Sequence, residues 1–324
     1  MNIHTWKYWS ALVLALCLLT SCEKVALDED ITQPTTSEAE QNVVISIAGM
    51  DAGWGSDLSR ALVSVSEVCT RVNFAVFKDG QRVKYKNQVA GDEGFGTYSL
   101  TLEAGNYQIL ILAHSGKANP TTTNPAKLQF TNPGTSGGTG YTDTFYYYGK
   151  LTVGSSGTQL SINMTRATSM FRFVTTDVKP EKVKKLQFYY EGGSGALSAV
   201  TGYGCVDSKQ VVIEYLDDAQ TGKPLQFDLY TFLHGESGNL TVTVRAFDEK
   251  DDIAYEREFT NVPMKRNYIT RYTGNFFVKD TPDNPDNPDT PDNPDNPDDP
   301  DPGVSPSNVI MVDPEWGGVT DFTF

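Results

Sequence analysis

From Val43 to Phe277 the chain is a succession of short runs rich in Val, Ile, Thr, Tyr and Phe, each closed by Gly, Asn, Asp or Pro. No segment sustains a helical period, so these runs predict strands and an all-β protein. In the first stretch Val43–Ile47, Ala61–Val65, Val72–Phe77, Thr97–Leu102, Tyr107–Ala113, Thr144–Val153 and Gln159–Met164 qualify, about the number that one β-sandwich needs. Tyr98–Leu102 and Tyr107–Leu112 flank Glu103-Ala104-Gly105-Asn106 and read as a hairpin. Its second strand is continuously apolar and is expected to be covered on both faces. Ser115 to Gly140, built of Asn, Pro, Thr and Gly, reads as a long loop at one end. From Arg166 a second set follows: Ala167–Thr175, Lys185–Tyr190, Ala196–Tyr203, Gln210–Tyr215, Leu225–Leu233, Leu240–Phe247, Ala254–Phe259 and Tyr268–Phe277. Two all-β domains are therefore expected, residues 43–165 and 166–279.

The ends carry a different message. Ala11 to Leu19 is apolar and is followed by Thr20-Ser21-Cys22, the pattern of a secretory signal whose cysteine becomes the lipidated first residue. A membrane-spanning helix needs about 20 apolar residues, roughly twice this run. Residues 1–21 are expected to be removed and Cys22 to carry lipid. Residues 22–42, rich in Asp, Glu, Thr, Ser, Gln and Pro, are a tether that cannot bury enough surface to fold alone.

At the other end, residues 280–307 are dominated by Pro-Asp-Asn and Pro-Asp-Thr triplets. Regular proline favours polyproline II and like charges resist collapse, giving a semi-rigid spacer. It leads to residues 308–324, a β-prone terminal segment. Val309, Ile310, Met311, Val312, Val319, Phe322 and Phe324 are the candidate donor-strand residues there, far from any core of their own in sequence.

The net charge of −15 is concentrated in the spacer, where nine carboxylates lie between Asp280 and Asp301. No Lys/Arg stripe is present to neutralise phosphates, so nucleic acid is not an expected partner. Cys69 and Cys205 stand far apart in strand-like runs and are expected to be buried free thiols. Enzyme motifs fail one by one. His114 and His234 are the only histidines beyond the signal. Gly235-Glu236-Ser237-Gly238-Asn239 lacks the closing glycine of a nucleophile elbow and reads as a hairpin turn. Gly192-Gly193-Ser194-Gly195 lacks the Lys-Ser/Thr ending of a phosphate loop and reads as a flexible turn. Asp248 to Asp252 has Lys250 where a calcium loop needs a ligand. No catalytic residue, cofactor or metal is expected. Phe145-Tyr146-Tyr147-Tyr148 offers aromatics to both faces of a strand. Packing is the expected role, and the outward pair, Tyr146 and Tyr148, is a candidate surface contact for a host glycan or protein.

In order along the chain, the Cys22 lipobox, Arg71-Val72-Asn73-Phe74-Ala75-Val76-Phe77, Glu103-Ala104-Gly105-Asn106-Tyr107, Met164-Thr165-Arg166-Ala167 and Asn267-Tyr268-Ile269 resemble the fimbrial anchor and subunit family of Bacteroidales type V pili. The resemblance implies two tandem transthyretin-like β-sandwiches, export as a lipoprotein to the cell outer membrane, and assembly with other fimbrial subunits. In that family an arginine-specific protease removes the first strand of polymerising subunits, and a neighbour's terminal strand fills the groove by β-augmentation. Anchors keep their lipid. Arg60-Ala61 is the candidate processing bond. A surface arginine at a strand start is the plainer reading of it, and a permanently lipidated anchor or minor subunit the expected role. A surface lipoprotein adhesin outside any pilus is the alternative.

Overall fold

The structure is a computed structural model that describes residues 41–53, 62–130, 141–278 and 318–324, together with the backbone pairing of Met311 and Val312. Within these, the first half of the chain forms β1 (Val43–Met50), a single helical turn α1 (Val65–Val68), β2 (Arg71–Lys78), β3 (Gln81–Val89), β4 (Thr97–Leu100), β5 (Gly105–His114), β6 (Leu128–Gln129), β7 (Thr144–Val153) and β8 (Thr158–Arg166). Seven of these strands run in the order β3-β2-β5-β7-β8-β1-β4. β7 and β8 pair only at Phe145↔Arg166 and Tyr146↔Thr165, so the sheet folds there into two leaves. Val43 and Ile45 from one leaf and Phe74, Ile109 and Phe145 from the other share one core, all fully buried. This is a β-sandwich.

The second half forms β9 (Ser169–Thr175), β10 (Lys185–Ser194), β11 (Ala196–Ser198), β12 (Tyr203–Gly204), β13 (Asp207–Tyr215), a 3-10 turn (Asp218–Gln220), β14 (Gln226–Thr231), β15 (Ser237–Phe247), β16 (Ile253–Lys265) and β17 (Ile269–Gly274). Its pairings repeat those of the first half. β13-β10-β15-β16 copies β3-β2-β5-β7, and β14-β9-β17 copies β4-β1-β8, down to the parallel contact of the first strand with the last. Phe173, Phe188, Val242 and Val244 centre its core. A third cluster, with Ala75, Leu110, Leu112, Leu128, Leu197 and Phe232, joins the two halves.

Several expectations are corrected. The runs Tyr98–Leu102 and Tyr107–Leu112 are not a hairpin: β4 pairs with β1 on one leaf, whereas β5 pairs with β2 and β7 on the other. Leu102 is held at the crossing by Asn42, whose Nδ2 donates to its carbonyl (2.8 Å) and whose Oδ1 accepts from its amide (3.0 Å). β5 is nonetheless covered on both faces, because the first and third clusters lie on opposite sides of it. The expected strand Ala61–Val65 is absent where it is described. Val63 makes one bridge to Met50, and Ser64-Val65-Ser66-Glu67 is a capping-box pattern whose Glu67 carboxylate accepts from the Ser64 amide, which turns β-branched residues into a helical start.

β3 was not among the expected strands. Asp79-Gly80 sets it up as a two-residue turn with φ of 50° and 76°, the left-handed pair that a type I′ hairpin needs. Gly192-Gly193 is a bulge in β10 rather than a flexible turn, and Ser194 is fully buried. Its hydroxyl donates to the Ala196 carbonyl (2.7 Å) and accepts from the amides of Cys205 and Val206 (3.0 Å each). The expected strand Ala196–Tyr203 breaks into β11 and β12. The loop after Ser115 is no free loop as far as Phe130: β6 pairs with β11 and places Leu128 in the third cluster.

Candidate functional site

The terminal segment is where the fold exceeds its own repeat. β18 (Met311–Val312) and β19 (Val319–Thr323) add to the second half, so that one sheet reads β14-β9-β17-β19-β18. β19 lies parallel to β17, in register from Ile269↔Val319 to Thr273↔Thr323. The Ile269 amide donates to the Gly318 carbonyl (2.8 Å) and the Phe324 amide to the Thr273 carbonyl (3.0 Å). Parallel neighbours cannot be joined by a tight turn, and the long link from Gly274 to Gly318 makes the pairing possible.

Side chains then fix the strand. The Phe322 ring is buried and stacks on Tyr272 at 4.7 Å. Phe324 stacks on Phe173 at 5.4 Å, meets Phe259 edge-on at 4.9 Å and carries the Arg257 guanidinium over its face at 5.1 Å. Asp321 pairs with Arg271 at 3.1 Å. Gly274 is needed where it stands, because a Cβ there would fall 1.8 Å from the Phe324 carbonyl oxygen. Of the candidate donor residues, Val319, Phe322 and Phe324 thus lie on the chain's own second sheet, not apart from any core. Met311 and Val312 pair with Asp321 and Thr320. Val309 and Ile310 lie outside the described residues, as do Cys22, Arg60 and Ala61.

The strand ahead of Arg60 is also placed. β1 sits between β8, parallel to it, and β4, antiparallel, with Val43, Ile45 and Met50 fully buried.

At the junction of the two halves sequence reasoning missed a site. Arg166 is 4 % exposed, and its guanidinium clasps both Asp143 oxygens at 2.8 Å. It also donates to the carbonyls of Ala52 and Gly53 and to Asn267 Oδ1, all at 2.7 Å, and lies over the Phe145 ring. Two of the quoted motifs, around Arg166 and around Asn267, therefore meet in space. The signal in the sequence is those two motifs themselves, which lie about a hundred residues apart and say nothing of their meeting or of Asp143.

The remaining candidates lose their exposure or their chemistry. Tyr146 and Tyr148 are half-buried against the third cluster, and the Tyr148 hydroxyl donates to Gln108 Oε1 (2.8 Å). The pair expected to face outward is used in packing, because the third cluster that covers it draws on both the loop after Ser115 and the second half, where the Tyr146 hydroxyl lies beside Gly202. His114 is buried and pushed down to about 4, mainly by burial and secondarily by the Arg71 charge. Its Nδ1 accepts from the Gly116 amide (3.1 Å), which leaves Nε2 to donate to Asn73 Oδ1 (3.0 Å). His234 pairs with Asp207 at 3.0 Å, and Ser237 is the first residue of β15, opposite Lys265. Both cysteines are free. Cys69 is buried, its thiol pushed up to about 12, whereas Cys205 is exposed and not buried as expected. Among the described residues no group of three His, Cys, Asp or Glu is placed to hold a metal.

Residues 34–298 match a family model described as a family of unknown function, DUF6562. No curated protein matches the chain. Similar solved structures include an adhesin candidate from Bacteroides ovatus, 12% identical over 66% of this chain and 75% of that one, with a TM-score of 0.47. A candidate polysaccharide-binding protein from Bacteroides thetaiotaomicron is 14% identical over 68% of this chain and 80% of that one (TM-score 0.45). The fimbrial anchor protein Mfa2 of Porphyromonas gingivalis is 13% identical over 68% and 82% (TM-score 0.37).

Proposed function

We propose that this chain, which belongs to the DUF6562 family, is a non-enzymatic, lipid-anchored fimbrial anchor or minor subunit that joins its neighbours by strand donation. The observation that carries this reading is β19: the end of the chain is a strand that completes a sheet edge through main-chain bonds and two aromatic anchors, Phe322 and Phe324. A strand that can add to its own β17 in this way has the chemistry to add to a neighbour's open edge. The proposed organisation is a lipid on Cys22, a tether to residue 42, two tandem transthyretin-like sandwiches over 43–165 and 166–279, and a spacer over 280–307 that lets the last segment reach outward.

Arg60-Ala61 supplies the choice between two fates. Cut there, the chain would lose Cys22 and β1, opening a groove between β8 and β4 that Val43, Ile45 and Met50 now fill. Left whole, it has no such groove, keeps its lipid and can only donate. We favour the second fate, an anchor at the cell outer membrane. The roles named for the similar structures, adhesion and fimbrial anchoring, agree with this reading and do not carry it. Deletion of residues 308–324 tests it. Fimbrial subunits should cease to co-purify with the deleted chain, and undiminished co-purification would sink strand donation.

A further inference from the structure

The outer face of the β3-β2-β5-β7 sheet changes character along its strands. Across the row Ala75–Leu110–Tyr148 it is covered by the third cluster. One step further the row is Phe77–Gln108–Lys150, and the next pair on that face is Asn106–Thr152. Here an open cleft of about 590 Å³ is lined by Phe77, Asp79, Asn106, Gln108, Lys150 and Thr152 among others.

Its hydrogen bonds have a direction. The Tyr148 hydroxyl donates to Gln108 Oε1 (2.8 Å), and the Thr152 hydroxyl donates to Asn106 Oδ1 (3.0 Å). Each amide therefore has its oxygen engaged by a neighbouring hydroxyl, which leaves the NH2 group as the available half. Lys150 stands opposite Gln108 with no carboxylate in salt-bridge range among the described residues. Two amide donors, from Gln108 and Asn106, and the Lys150 ammonium thus belong to the lining of one cleft, together with Asp79 and Thr152, which can accept.

We infer that this cleft binds an acidic saccharide unit, whose carboxylate Lys150 and the two amide NH2 groups would take while Asp79 accepts from a ring hydroxyl. A peptide strand is a poorer fit, since β2, β5 and β7 have their backbone groups engaged in the sheet at this point. The assignment is independent of strand donation and uses none of the terminal residues.

The test is titration of the full mature chain with N-acetylneuraminic acid and glucuronic acid, with galactose and glucose as neutral probes, read by calorimetry or amide shifts. The acidic sugars should bind at least tenfold more tightly than the neutral ones, with shifted amides confined to the cleft residues of β5 and β7 and to the Asp79-Gly80 turn. Lys150→Ala should remove that preference, and Gln108→Leu should weaken acidic-sugar binding at least threefold. Both side chains are exposed, so an unchanged melting temperature shows that each variant is folded. Equal affinity for acidic and neutral sugars, no binding of either, or a preference that survives Lys150→Ala would overturn the assignment.

Discussion

Arg166 shows what one residue does at the junction of the two halves. A guanidinium this buried is tolerated only because Asp143, Asn267 and two backbone carbonyls surround it. Asp143→Ala should leave the charge short of its partner and cost about 3–5 kcal/mol in denaturant unfolding. Replacing exposed Asp92 in the same way should cost far less. His114 makes the second case. Its proton affinity is depressed in the fold, so the folded state refuses a proton that the unfolded chain accepts below its ordinary value of 6.5. Stability from this residue is complete above pH 6.5 and is lost as the pH falls through about 4. That difference amounts to about 3 kcal/mol. In unfolding curves taken between pH 7 and pH 4, His114→Gln should therefore show a shallower loss of stability than the parent chain. Neither role could be read from the sequence, because the partners of both residues come from distant segments, Asn267 and Asn73 among them.

Elements were legible to the extent that their signals are local. The β-rich runs marked most strands, and continuous apolar residues marked β5 as doubly covered. Pairing was less legible. An alternating run followed by a turn and a second run fits a hairpin and a crossing between leaves equally well, and β4–β5 takes the second course. β3 was hidden by its charged residues, although Asp79-Gly80 announces it. At the chain's end, the β-prone composition marked Val319, Phe322 and Phe324, while their docking on β17 depends on Gly274, the aromatic floor of Tyr272 and Phe173, and a sheet edge built far away in sequence. Gly274→Ala tests that docking. Its methyl group would collide with the Phe324 carbonyl, so amides of residues 319–323 should exchange with solvent at least tenfold faster, with the two cores unchanged. Unaltered exchange there would show that the strand does not depend on this close approach.

For the whole molecule, the chief consequence of β19 is a competition. A strand tethered to its own sheet faces a local concentration on the order of millimolar, which a neighbour in solution rarely matches. Donation therefore requires a partner edge that offers more than β17 does, through better pockets for Phe322 and Phe324 or longer pairing with the residues before them. The closed arrangement also covers an edge of β17 that would otherwise template aggregation. A photo-reactive residue in place of Phe322, activated in cells that assemble fimbriae, tests the proposal most directly. Strand donation predicts a covalent product containing this chain and a second fimbrial subunit, whereas crosslinks confined to the chain's own second sheet would contradict it.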